Sequence, residues 1–414
     1  MPAVYDFDPD LASLHVAFDL DAVARMFERR WPAGELPPGS VTAHKLLDTK
    51  YEPRVSCVTT YDLEVPVTNG RGPRTIGALE MSPSHTTLRT LERDPQLPWL
   101  AQALDSATMA GRFDDLVEDR DDDLAQPAIT AVRYKPGARC VIRYAWTAPE
   151  RARVYFGKSI VAGAEAIAGR IAALQEASSN ARNMPRVAGP VAYWADLRML
   201  VQRAVEGNEL HEVAFDTAVG LAERWRWMEE AGRGLAGLHS VVGVDAPART
   251  MSDDLDELDG YASPMRQVDP ELARVFERAV GSLRTHGALG PGSVCGHGAF
   301  RTDQFMIQSG ELVLIDLDGL CRSEPERDLG NLFAYLRWKA RRQPEHADFL
   351  AGAPERFLTG YGALRAAPDE RRLALYEAAS LLKIAGRRYR SLTVREWPKV
   401  PYLVDAATQL IDAA

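Results

Sequence analysis

The chain has 414 residues, of which 46% are hydrophobic and 26% charged, with a formal net charge of −9. This composition excludes intrinsic disorder as the main state and leaves length for two or three domains. The acidic balance argues against a general nucleic-acid binder, although a local pocket on such a chain can still accept an anion.

Only seven of the 49 basic residues are Lys, which gives each Lys weight. No apolar run is long enough to predict a membrane-spanning helix. The N-terminal stretch alternates acids with apolar residues and lacks the basic start of a secretory signal. Cys57, Cys140, Cys295 and Cys321 show no metal-ligand spacing and read as reduced thiols of a cytoplasmic protein.

Residues 51–61 (YEPRVSCVTTY) and 134–144 (YKPGARCVIRY) share the pattern Y-x-P-x-x-x-C-V-x-x-Y. Each predicts a Pro-containing turn leading into a strand of β-branched and aromatic residues. A second strand follows each, at 74–81 (RTIGALEM) and 153–161 (RVYFGKSIV). A helical segment then follows each: 86–94 (TTLRTLERD), running toward LPWLAQALD, and 164–177 (AEAIAGRIAALQEA). The shared spacing and downstream order predict two related hairpin-plus-helix units. The acidic stretch at 114–127 reads as a solvated helix end or linker between them.

From about 205 the pattern is helical. An amphipathic helix is predicted over 214–240, acidic residues at 252–260 mark a loop or helix start, and another helix covers 270–287. A Gly/Pro stretch at 287–293 breaks it. Next, QFMIQ and ELVLIDLDG around Ser-Gly predict a hairpin, and 328–412 is nearly all helical. The order describes an α+β chain.

Three segments carry chemistry: HGAFRTDQ at 297–304, LIDLDG at 314–319 and EPERDLGNL at 324–332. An Asp at a strand end projects a carboxylate from a rigid base, and an oxygen ligand on the paired strand lets the two hold Mg²⁺. Gln304 and Asp316 flank the hairpin and can face each other across it. The plain alternative is that Asp316 and Asp318 cap a turn.

These segments resemble the aminoglycoside phosphotransferase and choline kinase group, relatives of the protein kinase fold. That family shows H-G-D-x-x-x-x-N, a short hairpin, I-D-x-x, then a D-L-A or D-L-G helix start. His297, Gly298, Gln304, Ile315, Asp316, Asp328 and Leu329 match or nearly match. Upstream, FGK at 156–158 resembles the nucleotide-binding lysine strand, 197–210 the hinge, and GLHS at 237–240 the A-x-L-H helix end. The resemblance covers about 126–390.

It implies a bilobal protein kinase-like α+β fold. A small nucleotide-binding lobe would span 126–204 and a helical lobe with catalytic loop and metal site 205–414. Residues 1–125 would form an N-terminal domain, read from the repeat as a degenerate small lobe. Aligning the copies sets Gly77 and Ala78 against Gly157 and Lys158, so the first copy lacks the lysine and would bind no ATP.

The resemblance also implies ATP and Mg²⁺ as cofactors. Lys158 would contact the α/β-phosphates and Glu165 would orient it. The backbone near Gln202–Ala204 would hold the adenine, and the 134–140 turn would cover the phosphates. Asp316 and Gln304 would bind metal, Asp328 would support the catalytic loop, and His297 of that loop would be a catalytic residue. Two departures stand out. Ala299 occupies the place of the catalytic Asp, with Asp303 and Asp318 as substitutes, and Gln304 replaces Asn.

Phosphoryl transfer rests mainly on positioning and charge neutralisation. General-base assistance adds about 10²–10⁴-fold. The expected function is transfer of the γ-phosphate of ATP to a hydroxyl of a small molecule or of a peptide Ser/Thr. The alternatives are a pseudokinase that binds nucleotide or peptide without efficient turnover, and a scaffold for a partner enzyme. Acidic residues at 251–260 would suit a cationic substrate, or form a solvated surface.

Overall fold

Helix α1 (Leu20–Arg29) starts where Asp19 turns the chain and accepts the Ala22 N–H at 3.0 Å. The computed structural model describes residues 5–31, 34, 36–66, 74–114, 116, 126–147, 152–179, 183–286 and 293–414. The linker expected over 114–127 and the Gly/Pro break at 287–293 lie almost wholly outside them.

Strands β1 (Thr42–Glu52), β2 (Ser56–Glu64), β3 (Arg74–Met81) and β4 (Thr86–Thr90) form an antiparallel meander in chain order. β4 corrects the helix expected over 86–94. Its three threonines favour the extended backbone, and it pairs with β3 from Met81–Thr86 to Gly77–Thr90. Phe27 of α1 packs with Tyr61, Leu63 and Leu79 of the sheet.

Two short helices, α2 (Leu100–Ala103) and α3 (Ser106–Asp114), precede the second sheet. Its strands are β5 (Ala128–Lys135), β6 (Arg139–Thr147) and β7 (Ala152–Ile160). After α4 (Ala164–Ser179) and β8 (Arg186–Val187) come β9 (Pro190–Trp194) and β10 (Met199–Arg203). The order is β5-β6-β7-β10-β9. Phe113 of α3 lies 4.9–5.1 Å from the rings of Tyr144, Trp146, Tyr155 and Trp194. Ile76 and Ala78 of β3 belong to the same apolar cluster, so the two sheets share a core.

The contacts divide the chain into a β-rich unit (Met1–Ala168, Pro190–Ala204, Arg390–Leu392) and a mainly helical unit (Gly169–Gly189, Val205–Tyr389, Thr393–Ala414). The helical unit begins with β11 (Asn208–Glu209), α5 (Leu210–Ala214) and α6 (Leu221–His239). The helix expected over 214–240 thus starts later, because Asp216 accepts the Ala218 N–H at 2.8 Å in a turn. α7 (Met251–Val268) starts at a Thr250–Asp253 capping box, so the acidic residues at 252–260 form a helix start.

α8 (Pro270–Thr285), β12 (Val294–Gly296), β13 (Phe305–Gln308), β14 (Glu311–Leu314) and β15 (Cys321–Ser323) follow. α9 (Pro325–Arg342), α10 (Ala347–Gly362), α11 (Glu370–Arg390) and α12 (Val400–Ala413) complete the unit. β13 and β14 form the expected hairpin, with Ser309 and Gly310 both left-handed at its tip. The main helical core joins α7, α8, α11 and α12. Among the described residues no helix is long and apolar enough to cross a membrane.

α6 and α10 approach closely through glycine. A Cβ on Gly232 would overlap the Phe357 carbonyl, and one on Gly360 the Glu229 carbonyl. In an open helix Gly→Ala gains up to about 1 kcal/mol. Here the backbone overlap outweighs that gain, and Gly232→Ala is expected to destabilise by about 1–3 kcal/mol in urea unfolding. A stabilised variant would show that the helices separate freely.

Candidate active site

The 297–304 loop leaves β12 and is fixed by three residues of α9. Asp328 is completely buried and accepts the N–H of His297 at 2.6 Å and of Gly298 at 2.9 Å. Arg327 donates to the Gly298 carbonyl at 2.8 Å, and Asn331 to the Phe300 carbonyl at 2.8 Å. Residues 327, 328 and 331 share one helix face. Gly298 has φ +89°, and a Cβ there would overlap the Gly319 carbonyl, so the loop requires glycine.

Burial alone would raise the Asp328 carboxyl. The His239 hydrogen bond and charge, with His297 and Arg327, outweigh it and hold the group down at about 2. His239, at the end of α6, donates from Nε2 to Asp328 at 3.3 Å and pairs through Nδ1 with the Tyr361 hydroxyl at 2.9 Å. Arg327 forms a two-pronged ion pair with Asp254 of α7, at 2.7 and 2.9 Å.

His297 is buried, and its Nε2 donates to the Ile315 carbonyl at 3.0 Å. Its ring ties the loop to the end of β14. Ala299 is exposed. Asp303 accepts from Arg301 Nε at 3.0 Å and Nη2 at 2.8 Å, and from Gln304 Nε2 at 2.9 Å.

The hairpin ladder extends to an Ile315 N–H to Gln304 carbonyl bond of 3.0 Å. Gln304 is buried, and its Oε1 has no hydrogen-bond partner. Asp316 is exposed at φ +55°, at the start of a 3₁₀ turn over Leu317–Gly319, and makes no side-chain capping bond to that turn. Asp318 lies half-buried in the turn. A second network beyond sequence reach joins His211 to Thr302 and to Tyr335, each at 3.1 Å, and to Lys339 at 3.3 Å.

In the β-rich unit Lys158 lies on β7, between Val141 of β6 and Leu200 of β10. Glu165 is exposed in the first turn of α4. Gln202 is buried on β10, and the Ala204 N–H donates to the Val154 carbonyl at 2.8 Å. In the 134–140 turn the Gly137 N–H goes to Asp94 at 2.6 Å and the Ala138 N–H to the Lys135 carbonyl at 3.0 Å. These two amides are committed within the protein.

The acids at 251–260 are also committed. Asp254 faces Arg327, Glu257 pairs with Lys383, and Asp259 with Arg284. Among the described residues no group of three or more His, Cys, Asp or Glu side chains could hold a metal.

This pairing of a β-rich unit with a helical unit is found in solved phosphotransferases. A protein described as a candidate aminoglycoside phosphotransferase from Ralstonia eutropha superposes with a TM-score of 0.54 at 15% identity, over 75% of this chain and 99% of that one. Amicoumacin kinase hAmiN, solved with AMP-PNP, Ca²⁺ and Ami, gives 0.52 at 15% identity, over 76% and 96%. The fold is therefore the protein kinase-like one. No curated protein sequence matches the chain. The model of the phosphotransferase enzyme family, APH, matches residues 150–376, more than half of the chain. The chain belongs to that family.

Because the folded carboxyl of Asp328 titrates below its ordinary 3.8, its contribution is fully present above about pH 4 and is lost as pH falls toward 2. Asp328→Asn is expected to cost about 3–5 kcal/mol at pH 7 by denaturant unfolding. The deficit should narrow between pH 4 and 2. A deficit constant with pH would assign the loss to packing instead of charge.

Proposed function

We propose that the chain is an ATP-dependent phosphotransferase that phosphorylates a hydroxyl of a small molecule, with a slowed chemical step. The observation that carries this reading is the oxygen pair at the hairpin end. Gln304 presents a buried amide oxygen without a partner, and its backbone carbonyl holds the N–H of Ile315, the residue before Asp316. A buried acceptor left unsatisfied is costly. Two hard oxygen donors of this kind suit Mg²⁺, which takes few protein ligands and completes its shell with phosphate and water.

Asp316 and Gln304 would hold the ion, which when bound neutralises charge on the transferring phosphoryl group. Lys158 would hold nucleotide phosphate, with Glu165 as its orienting partner. At 202–204 the Ala204 N–H is already used, so a purine edge would meet backbone carbonyl oxygen there. His297 would act as a positioning group for the loop.

Ala299 removes the carboxylate that would accept the hydroxyl proton. Asp303, which accepts three N–H donors, and Asp318 are the candidate substitutes. The same commitment of Asp303 favours the second reading, a chain that binds nucleotide without turnover. A peptide Ser/Thr acceptor, a partner enzyme and a cytoplasmic setting remain parts of the proposal that acceptor and interaction screens would test.

Calorimetric titration with ATP and Mg²⁺ is the test. The wild-type protein is expected to bind, and Lys158→Ala and Asp316→Ala to weaken binding at least about tenfold, the loss of one charge-assisted contact. Absence of binding by folded wild-type protein would overturn the proposal. Ala299→Asp is expected to raise phosphorylation of an accepted small molecule by up to about 10²–10⁴-fold. Nucleotide binding without turnover in either form would select the second reading.

A further inference from the structure

The β-rich unit contains the same hydrogen-bonded device twice. Asp8 Oδ2 accepts from the Tyr51 hydroxyl at 2.7 Å and from the Arg54 N–H at 2.8 Å, while Oδ1 accepts the Asp10 N–H at 3.0 Å. Asp94 Oδ2 accepts from the Tyr134 hydroxyl at 2.7 Å and the Gly137 N–H at 2.6 Å, while Oδ1 accepts the Gln96 N–H at 2.9 Å. Both residues at the clamped turn are left-handed, Arg54 at φ +61° and Gly137 at φ +69°.

The parallel continues beyond the turn. Asp19 and Asp105 each accept the N–H three residues on, Ala22 at 3.0 Å and Thr108 at 2.8 Å. Tyr61 donates to the Ala17 carbonyl at 2.7 Å, and Tyr144 to the Ala103 carbonyl at 2.8 Å. Behind these bonds lies a run of identities: Asp8-Pro9 with Asp94-Pro95, then Leu11 with Leu97, Ala17 with Ala103, Asp19 with Asp105 and Phe27 with Phe113.

Register completes the correspondence. Val58 pairs with Glu80, and the equivalent Val141 pairs with Lys158. Glu80, not Ala78, therefore stands where the second copy has its lysine, and it is ion-paired with Arg89. The position has reversed its charge, so the first copy presents a carboxylate where a phosphate would need a cation.

We infer that Asp8–Met81 and Asp94–Ser159 are two copies of one unit, and that Asp94 is a positioning residue for the turn that covers nucleotide phosphate. The inference rests on the nucleotide reading of Lys158 and the 134–140 turn. It places the division between copies near residue 93, with each copy's helix ahead of its hairpin. Asp94 acts from behind the sheet. Tyr134 pairs with Cys140 and Cys140 with Ser159, all facing the apolar core, while Lys158 and Val141 alternate to the other face. The clamp thus fixes the turn without occupying the lysine face. It takes up the Gly137 amide, so the turn contributes a fixed shape in place of an amide nest.

The first copy supplies a matched control. Asp94→Asn and Asp8→Asn remove the same charge from the same device, and similar falls in melting temperature are expected. Binding of ATP, ADP and AMP with Mg²⁺ is then measured calorimetrically. Asp94→Asn is expected to weaken ATP about tenfold, equivalent to about 1.4 kcal/mol, as the turn loses its fixed shape, and to leave AMP unchanged. Asp8→Asn should leave all three unchanged. Should Asp94→Asn fail to fold, Tyr134→Phe against Tyr51→Phe repeats the comparison with one bond removed. Equal nucleotide affinities in the matched variants, or parallel losses for ATP and AMP, would overturn the inference alone. A wild-type protein that binds no ATP would overturn the nucleotide reading and the positioning role together.

Discussion

A single carboxylate out of reach of water organises the helical unit. Asp328 cannot shed its desolvation cost except by accepting donors, and two of its donors are the backbone amides of His297 and Gly298. Its ionisation and the loop's conformation are therefore one interaction. Arg327, its neighbour in sequence, holds the Gly298 carbonyl and pairs its own charge with Asp254 on α7. Asp254 also faces Lys383 of α11, 3.8 Å away. The loop is thereby tied to three helices far apart in sequence, which a loop held only by local turns would not be.

What this scaffold holds, in the proposed reading, is a site with one member changed. The loop is rigid at 297, 298 and 300, and the exposed Ala299 lies between those fixed points. A rigid loop with the wrong residue still positions its neighbours. Enzymic acceleration is about 10⁶-fold or more, and a general base accounts for about 10²–10⁴ of it. Positioning and charge neutralisation supply the larger share of phosphoryl transfer, so in the proposed reading the loss at 299 would leave most of the chemistry to Lys158, Asp316 and Gln304.

The hairpin around Ser309-Gly310 and its loop were legible because turn chemistry and short apolar runs are local signals. The Asp254–Arg327 pair was not, since nothing local links residues 73 apart. β4 was misread because Leu88 and Leu91 imitate helical spacing, whereas the surrounding threonines and the waiting edge of β3 decide for a strand. The repeat was legible only in its strands. Its helical part is displaced by 86 residues, its first two strands by 83 and its third by 78, so a fixed period loses the other parts when it matches one. Hydrogen bonds are indifferent to those differences, and they show the whole unit.

The reversed charge at Glu80 then has a physical reading. The second sheet turns Tyr134, Ile142, Tyr144, Met199 and Val201 toward one apolar face. An uncovered face of that kind would associate with other chains or lose the burial, worth about 25 cal/mol per Å², that stabilises the sheet. α2 and α3 cover part of it, and Ile76 and Ala78 of the first copy join the same cluster. That service depends on the side of β3 that carries Ile76 and Ala78. Glu80 lies on that same side of β3, two residues beyond Ala78, and its charge is met there by Arg89. A copy whose face is turned to packing can carry a reversed charge at its edge once Arg89 answers it, whereas a copy kept for binding phosphate cannot.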